Sequence, residues 1–391
     1  MTFLSRLTKV GFAKESVQYT YLVPAFSLAW RTAKFVDVIA PLRDESVRAN
    51  DSILQGLNQG PWMVNWDFEC DGYADLAGHL FRAIIGPDVV TAGASTVLNA
   101  NTAANATSFT TTGVVTSNSI FQISDASGAN LEWVQGGTVT GSGPYTVPVT
   151  VGAGSGGNSL RFAHTAAGGS VLTQSTHTFT QNRTFSTAWP TYSFTTDDGQ
   201  DQLGWPGNVM SELQVKIDPK GFITFSPKYT GFPSLAESTF AYAASAVQPV
   251  VGWGWTVTNG GASSTRGLTM DFTFKRAVEA IQSSDGTQAP REIFPGALEL
   301  DGSYKAVYDS AADMSNFKSY LQSATVHTLT QPVTSGGASL AIQMGKAGFT
   351  TGEVDTSTLY VSLAQAASGI ANTVDSGVTT VTLKNFLSSA Y

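Results

Sequence analysis

Four histidines, one cysteine and two groups of carboxylates are the side chains in this sequence that could do chemistry. His79, His164, His177 and His327 are scattered, and no two stand at the spacing that grips zinc. Asp197, Asp198 and Asp201 fall in one turn and could gather a calcium ion through carboxylate oxygens; an acidic turn explains them as well. Asp67 and Glu69 stand two apart on one face of an expected strand. Paired carboxylates can do acid–base work, and a wet strand face accounts for them equally. There is no G-x-S-x-G nucleophile elbow. Gly345-Lys346 lacks the earlier glycine and the following hydroxyl residue of a phosphate loop. Asn105-Ala106-Thr107 and Asn182-Arg183-Thr184 carry meaning as glycosylation acceptors only in a secreted protein. Trp62, Trp189, Trp205, Trp253 and Trp255 could stack on sugars, or serve as core and interface aromatics. The sequence therefore assigns no catalytic, cofactor-binding or metal-binding residue, and no enzyme is expected.

The elements around these residues are clearer. From Trp62 to Cys70, Trp62, Val64, Trp66, Phe68 and Cys70 alternate with Met63, Asn65, Asp67 and Glu69. Period two means a strand with one dry face and one wet face. Beyond Asp71-Gly72, Leu76, Leu80 and Ile84 recur every four residues, with Phe81 and Ile85 beside them. That is an apolar stripe at helical spacing. Asp71 is placed to cap its start, and Gly86-Pro87 to stop it. The expected core is this strand packed on this helix: Trp62, Val64, Trp66, Phe68, Leu76, Leu80 and Ile84.

The chain has 391 residues, 42% hydrophobic and only 13% charged. Ordinary soluble proteins carry roughly 25% charged residues. A surface largely covered by other protein accounts for the deficit; so does an extracellular surface of Ser, Thr and Asn. The net charge of −8 excludes a protein that grips nucleic acid through a basic stripe. Cys70 is the sole cysteine, so no intrachain disulfide forms. The N-terminus lacks a signal-peptide run, and no segment reaches membrane-spanning length. The expectation is a protein that stays soluble or assembles in a cytoplasm.

Residues 1–14 read as a short arm, and 16–38 as two strands broken at Pro24. Residues 39–61 read as a long polar loop, with Arg43, Asp44, Glu45, Arg48 and Asp51 as a mixed charge cluster. Mixed signs suit a protein–protein contact. Between Val89 and Leu172 the composition turns to Thr, Ser, Ala, Gly and Asn, with Asp125, Glu132 and Arg161 the only charges. Short strands are expected at 108–110, 120–123, 131–134, 145–149 and 160–162, making a small all-β module. We take residues 89–173 as an insertion in a discontinuous domain of 1–88 and 174–391. Thr191–Thr195 is a strand. Val209–Ile217 and Phe222–Phe225 flank Asp218-Pro219-Lys220-Gly221 as a β-hairpin. Val251–Val257 and Leu268–Phe274 are two more strands, with Asn259-Gly260-Gly261 in the turn between them. Residues 277–295 read as a second polar loop, 297–308 as a strand, and 313–322 as a short helix. Strands close the chain near 325–329, 340–344, 359–363 and 378–383. No internal repeat is legible.

This order resembles the tail tube, or major tail, proteins of bacteriophages with long non-contractile tails. The features that carry it are the arm, two early strands, the polar loop, the Trp62–Cys70 strand and the helix ending at Gly86. The Val209–Phe225 hairpin, the Trp253–Phe274 pair, the 297–308 strand and the closing Gly377–Asn385 segment follow in the same order. The resemblance covers roughly residues 10–88 and 175–390 and rests on pattern, with no invariant motif. It implies a mainly β fold: a β-sandwich or barrel subunit with one flanking short helix, here with the inserted all-β module on the tube's outside. It implies six subunits joined into a ring around an inner β-barrel, with rings stacked into a tube. It further implies a virion tail protein assembled in the host bacterial cytoplasm. Implied partners are further copies of itself, a tape-measure protein, viral DNA in transit, and tail terminator and baseplate or distal tail proteins, with no membrane and no cofactor. Under it, residues 39–61 are expected to bridge rings through Arg43, Asp44, Glu45, Arg48 and Asp51. Two other readings stand beside it: another virion part, such as a decoration or baseplate protein, and a carbohydrate-binding or carbohydrate-cleaving β protein.

Overall fold

A computed structural model of the chain describes residues 7–24, 26–49, 51–126, 128–181, 188–236, 241–243, 245, 247–259, 262–264, 266–308, 323–357 and 359–391. In chain order, β1 (Lys9–Lys14), β2 (Phe26–Ser27), β3 (Trp30–Asp44) and β4 (Gly56–Asp71) lead into α1 (Ala77–Ile84) and β5 (Asp88–Thr91). Six short strands follow: β6 (Ser95–Val97), β7 (Ser108–Thr111), β8 (Ile120–Ser124), β9 (Glu132–Gly136), β10 (Tyr145–Val151) and β11 (Ser170–Thr173). Then come β12 (Ser175–Thr180), β13 (Tyr192–Asp197), β14 (Gln202–Ile217), β15 (Thr224–Gly231), β16 (Leu235–Ala236), β17 (Trp255–Asn259) and β18 (Ala262–Ser264). The last are β19 (Gly267–Ile281), β20 (Glu292–Val307), β21 (Ser323–Thr330), β22 (Ser339–Asp355), β23 (Ser362–Gly369) and β24 (Thr380–Asn385).

Eight of these strands run antiparallel in the order β3, β4, β15, β14, β19, β20, β23, β22. β14 and β22 continue into a second layer. There the first half of β14 pairs with β13, which pairs with β1. The first half of β22 lies between β21 and β24. β12 joins β24 to β5. Trp66 and Phe68 of the first layer meet Phe194 of the second at ring distances of 5.2 and 5.8 Å. Aromatic pairs at such separations add to the area term that drives burial.

The helix is enclosed rather than half-exposed. Ala77, Gly78, His79, Leu80, Phe81, Ala83 and Ile84 are all buried. Phe81 packs edge-on against Phe225 and Phe274, and a Cβ on Gly78 would lie 2.0 Å from the Tyr391 ring. Asp71 does not cap the helix. Its carboxylate pairs with Arg31 at 2.7 Å, and Leu76 occupies the N-cap without a side-chain bond. The C-terminal end is capped from another strand: Arg276 on β19 donates from Nε to the Ile84 carbonyl at 2.6 Å and from Nη2 to the Ile85 carbonyl at 3.4 Å. A cation there also complements the helix dipole.

Several expectations change. The two polar loops are mostly strand. β3 and β4 pair out to Asp44 and Gly56, and β19 and β20 pair out to Ile281 and Glu292. Pro41 and Pro295 fall within the two stretches read as loops. In the fold each lies at a register shift between paired strands, where a missing N–H is tolerated. The arm is partly core, because Val10 and Phe12 of β1 are buried. Residues 160–162 are not a strand, and Gly252–Gly254 is a short 3₁₀ turn ahead of β17. β17 pairs with β18 and β21, not with β19. The expected helix 313–322 and the acceptor Asn182 lie outside the described residues.

The fold also contains a repeat that the sequence did not reveal. β3 and β19 are both 15 residues long, β4 and β20 both 16, and β15 and β23 both 8. Register shifts fall at matching places: Trp30/Thr32 and Ile39/Pro41 in β3, Gly267/Thr269 and Arg276/Val278 in β19. Met210/Glu212 in β14 matches Phe349/Thr351 in β22, and Tyr192/Phe194 in β13 matches Ser323/Thr325 in β21. Thus β3-β4-β15-β14 and β19-β20-β23-β22 are two four-stranded units of one topology. Few residue types are shared. Gly60 and Gly296 are, for a steric reason: a Cβ would lie 2.2 Å from the Ala40 carbonyl oxygen at the first and 2.9 Å from that of Ala277 at the second.

Strands β6 to β11 form a separate sheet with its own core around Phe109, Phe121, Ile123, Val134 and Val147. Its two end strands also meet. Asn99 N–H donates to the Thr110 carbonyl at 2.9 Å and Thr112 N–H to that of Val97 at 3.1 Å, so this sheet closes on itself.

Two buried histidines set an acid limit on stability. Burial pushes both His79 and His327 down to about 3. Between there and the unfolded value near 6.5 the unfolded chain binds more protons, so stability falls as pH drops through that window. Each histidine contributes a slope of up to about 1.4 kcal/mol per pH unit. His327→Leu should therefore flatten the acid limb of the melting temperature measured by circular dichroism from pH 7 to 4.

Candidate assembly surface

The eight-stranded sheet has two open sides. Among the described residues, β3 pairs only with β4 along its whole length, and β22 pairs only with β23 from Gly348 to Asp355. Unpaired N–H and C=O rows of this length are templates for another chain. Both carry apolar side chains in the open: Phe35 is 41% exposed and Val354 39%.

The hairpin tips are apolar as well. Leu42, Val47, Ile53, Leu54 and Leu57 at the β3–β4 tip, and Leu359, Tyr360 and Val361 at the β22–β23 tip, are exposed. Exposed apolar residues clustered in this way mark interaction sites. Sequence reasoning chose the charges of the first tip and passed over its apolar residues, although Val47, Ile53 and Leu57 were visible in a stretch read as polar.

The structure places Arg43 and Asp44 at the end of β3 and Glu45, Arg48 and Asp51 in the tip. The charges pair within the tip: Arg43 Nε lies 3.2 Å from Glu45 Oε1, and Arg48 bonds Asp44. Two hydrogen bonds from Ser46, through N–H and hydroxyl, hold the Asp44 carboxyl below its usual range. Of the expected core residues, Val64, Trp66, Phe68, Leu76, Leu80 and Ile84 are buried, and Trp62 is half-buried at the base of the tip. Its backbone N–H donates to the Gln288 carbonyl at 2.8 Å.

The wet face of the sheet is charge-balanced by register. Lys34 stands opposite Asp67, Asp67 opposite Lys228, Lys228 opposite Glu212, Glu212 opposite Lys275, and Lys275 opposite Glu299. The row alternates in sign across six strands. Lys228 reaches Glu212 at 2.8 Å, and this bond raises the lysine's pKa. Cross-strand pairs of opposite sign are stabilising and like pairs are not.

The other candidate chemistry disperses. Asp197 is committed to Lys9 at 3.2 Å, and Asp198 accepts from the N–H groups of Gln200 and Asp201 in its own turn. Among the described residues no three His, Cys, Asp or Glu side chains gather as for a metal. His164 bonds Glu132 at 2.6 Å inside the closed six-stranded sheet, and His177 bonds Asp88 at 2.8 Å. Trp189 and Trp205 are buried, Trp62 and Trp255 half-buried, and Trp253 exposed. One exposed tryptophan of five does not make a sugar platform.

Comparison with known families matches residues 5–343 to the phage tail tube proteins. The chain belongs to that family. It is a structural component of a virion tail, and the family implies a non-enzymatic protein that assembles into a tube of stacked subunits. No curated protein matches the chain. No helix among the described residues is long and apolar enough to cross a membrane.

The tip charges, being exposed on both sides, hold little of the monomer's stability, because solvent screens them. Arg43→Ala and Arg48→Ala should each leave the urea midpoint of the dispersed tail tube subunit nearly unchanged.

Proposed function

We infer that copies of this tail tube subunit join edge to edge into rings, that the rings stack, and that the bore conducts viral DNA past a displaced tape-measure protein. The observation that carries this reading is the pair of long open sheet sides, β3 and β22, on an otherwise complete core. Joining them removes both templates at once. The alternating wet face suits a bore. Every lysine of the row faces a carboxylate, so none is left to hold phosphate by counterion release.

The β3–β4 tip is the bridge between successive rings. Its apolar residues supply contact area, and Arg43, Asp44, Glu45, Arg48 and Asp51 exchange partners across the ring boundary. The closed module stands outside the tube; it comprises residues 94–173, since residues 89–91, expected in the insertion, pair with β12 of the host. Tail terminator and baseplate or distal tail proteins cap the two ends, and assembly takes place in the bacterial cytoplasm.

Electron microscopy of the purified protein tests the reading: stacked rings with an axial bore are expected, and a solitary particle at all concentrations contradicts it. Reversing Arg43 and Arg48 to Glu together should shorten or abolish tubes while circular dichroism still reports a folded subunit. Deleting residues 94–173 behind a short linker should leave tubes of unchanged bore and smaller outer diameter. An unfolded product would show instead that the module is part of the core.

A further inference from the structure

The two-unit repeat supplies a template for the contact between copies. Within the chain, the last strand of the first unit, β14, pairs with the first strand of the second, β19. The matched register shifts make β22 the counterpart of β14 and β3 the counterpart of β19. Those are the two strands left open. We propose that β3 of a second copy of this chain adds to β22 in the register that β19 takes on β14. This rests on the ring assembly proposed above and specifies its seam.

The side chains at the seam fit. In the internal junction Val215 stands opposite Phe272, and Lys216 opposite Asp271. Carried through the repeat, Val354 stands opposite Phe35 of the next copy, and Asp355 opposite its Lys34. The apolar pair is again Val with Phe, and the ionic pair is again lysine with aspartate, with the signs exchanged. Val215 and Phe272 are fully buried, whereas Val354 and Phe35 are 39% and 41% exposed in the single subunit. The seam covers them. On the wet face Lys305 lies 3.3 Å from Asp355, and Lys34 stands opposite Asp67. The sequence Lys305, Asp355, Lys34, Asp67 then alternates in sign across the boundary. Strand direction agrees too. The order from β3 to β22 holds an even number of antiparallel strands, so β3 of the next copy runs antiparallel to β22.

The same geometry sets the number of copies. Eight strands per copy give 24 in a ring of three. At a spacing of ~4.8 Å and a tilt of ~40° these enclose a backbone radius of roughly 24 Å. Two copies make a porin-sized channel, too narrow for a double helix, and six double the radius to roughly 48 Å. Three copies, each supplying two four-stranded units, close the ring around one duplex.

The test uses the double variant F35C/V354C. Directly opposed residues have Cα atoms about 4.5–5.5 Å apart, within reach of a disulfide, and the native Cys70 is buried. Tubes of this variant, oxidised and run on a non-reducing gel, should show covalent dimers and trimers with the ladder ending at three. Tubes without cross-links, or a ladder continuing to six, overturn the proposal while leaving ring assembly intact. If the cysteine variant does not fold or assemble, a charge placed in the apolar pair decides. V354K should reduce tube yield at least tenfold while circular dichroism still reports a folded subunit, because Val354 is 39% exposed in the single subunit. Tubes of V354K at unchanged yield overturn the seam. Absence of rings from the unmodified protein overturns the ring reading, and this seam with it.

Discussion

A sheet is complete only when the peptide groups along its outermost strands have partners, and this subunit leaves two such strands without them. Everything apolar in the interior is satisfied: two layers sandwich an enclosed helix, and Arg276 crosses from β19 to terminate that helix. The open rows lie on the periphery, at β3 and along the second half of β22. Burial of the core makes the subunit fold; the unsatisfied rows are templates for a further strand. Because backbone hydrogen bonds are directional, association through them fixes orientation in a way that an apolar patch alone would not.

Under the proposed seam, the repeat accounts for the match between the two open sides. A sheet built from two units of one topology has, at its middle, a junction between the end of one unit and the start of the next. Its own outer sides are another end and another start. Nothing further has to be invented for copies to join. The charges along the wet face follow the same economy, since register alone sets each cation against an anion.

What the sequence disclosed and what it hid follow from physical causes. The Trp62–Cys70 strand and the Leu76–Ile85 helix were legible because burial imposes periods of two and near four on their residue types. The hairpin around Asp218–Gly221 was legible because its turn needs particular backbone angles. The long arms of β3–β4 and β19–β20 were not. Their residues stand clear of the core, so no dry face imprints a period, and their prolines, Pro41, Pro61 and Pro295, sit at or beside bulges. The repeat was hidden because strand length and bulge position are properties of backbone pairing. It left few shared residue types, among them Gly60 and Gly296, where a carbonyl approaches too closely for a side chain. Among the candidate site residues, the charged ones were found by type, whereas the valine, isoleucine and leucines beside them gained meaning from their exposure.

The closed six-stranded sheet enters and leaves the host domain at nearly one point. Ala94 N–H donates to Thr173 Oγ1 at 2.6 Å, and Gly93 N–H to Ser175 Oγ at 3.0 Å. Both ends of the module are held together there, and its second contact with the host is local, where Ile120 lies against Gly337. Loops on the module away from these two contacts can therefore change in length or sequence without displacing the strands of the host sheets.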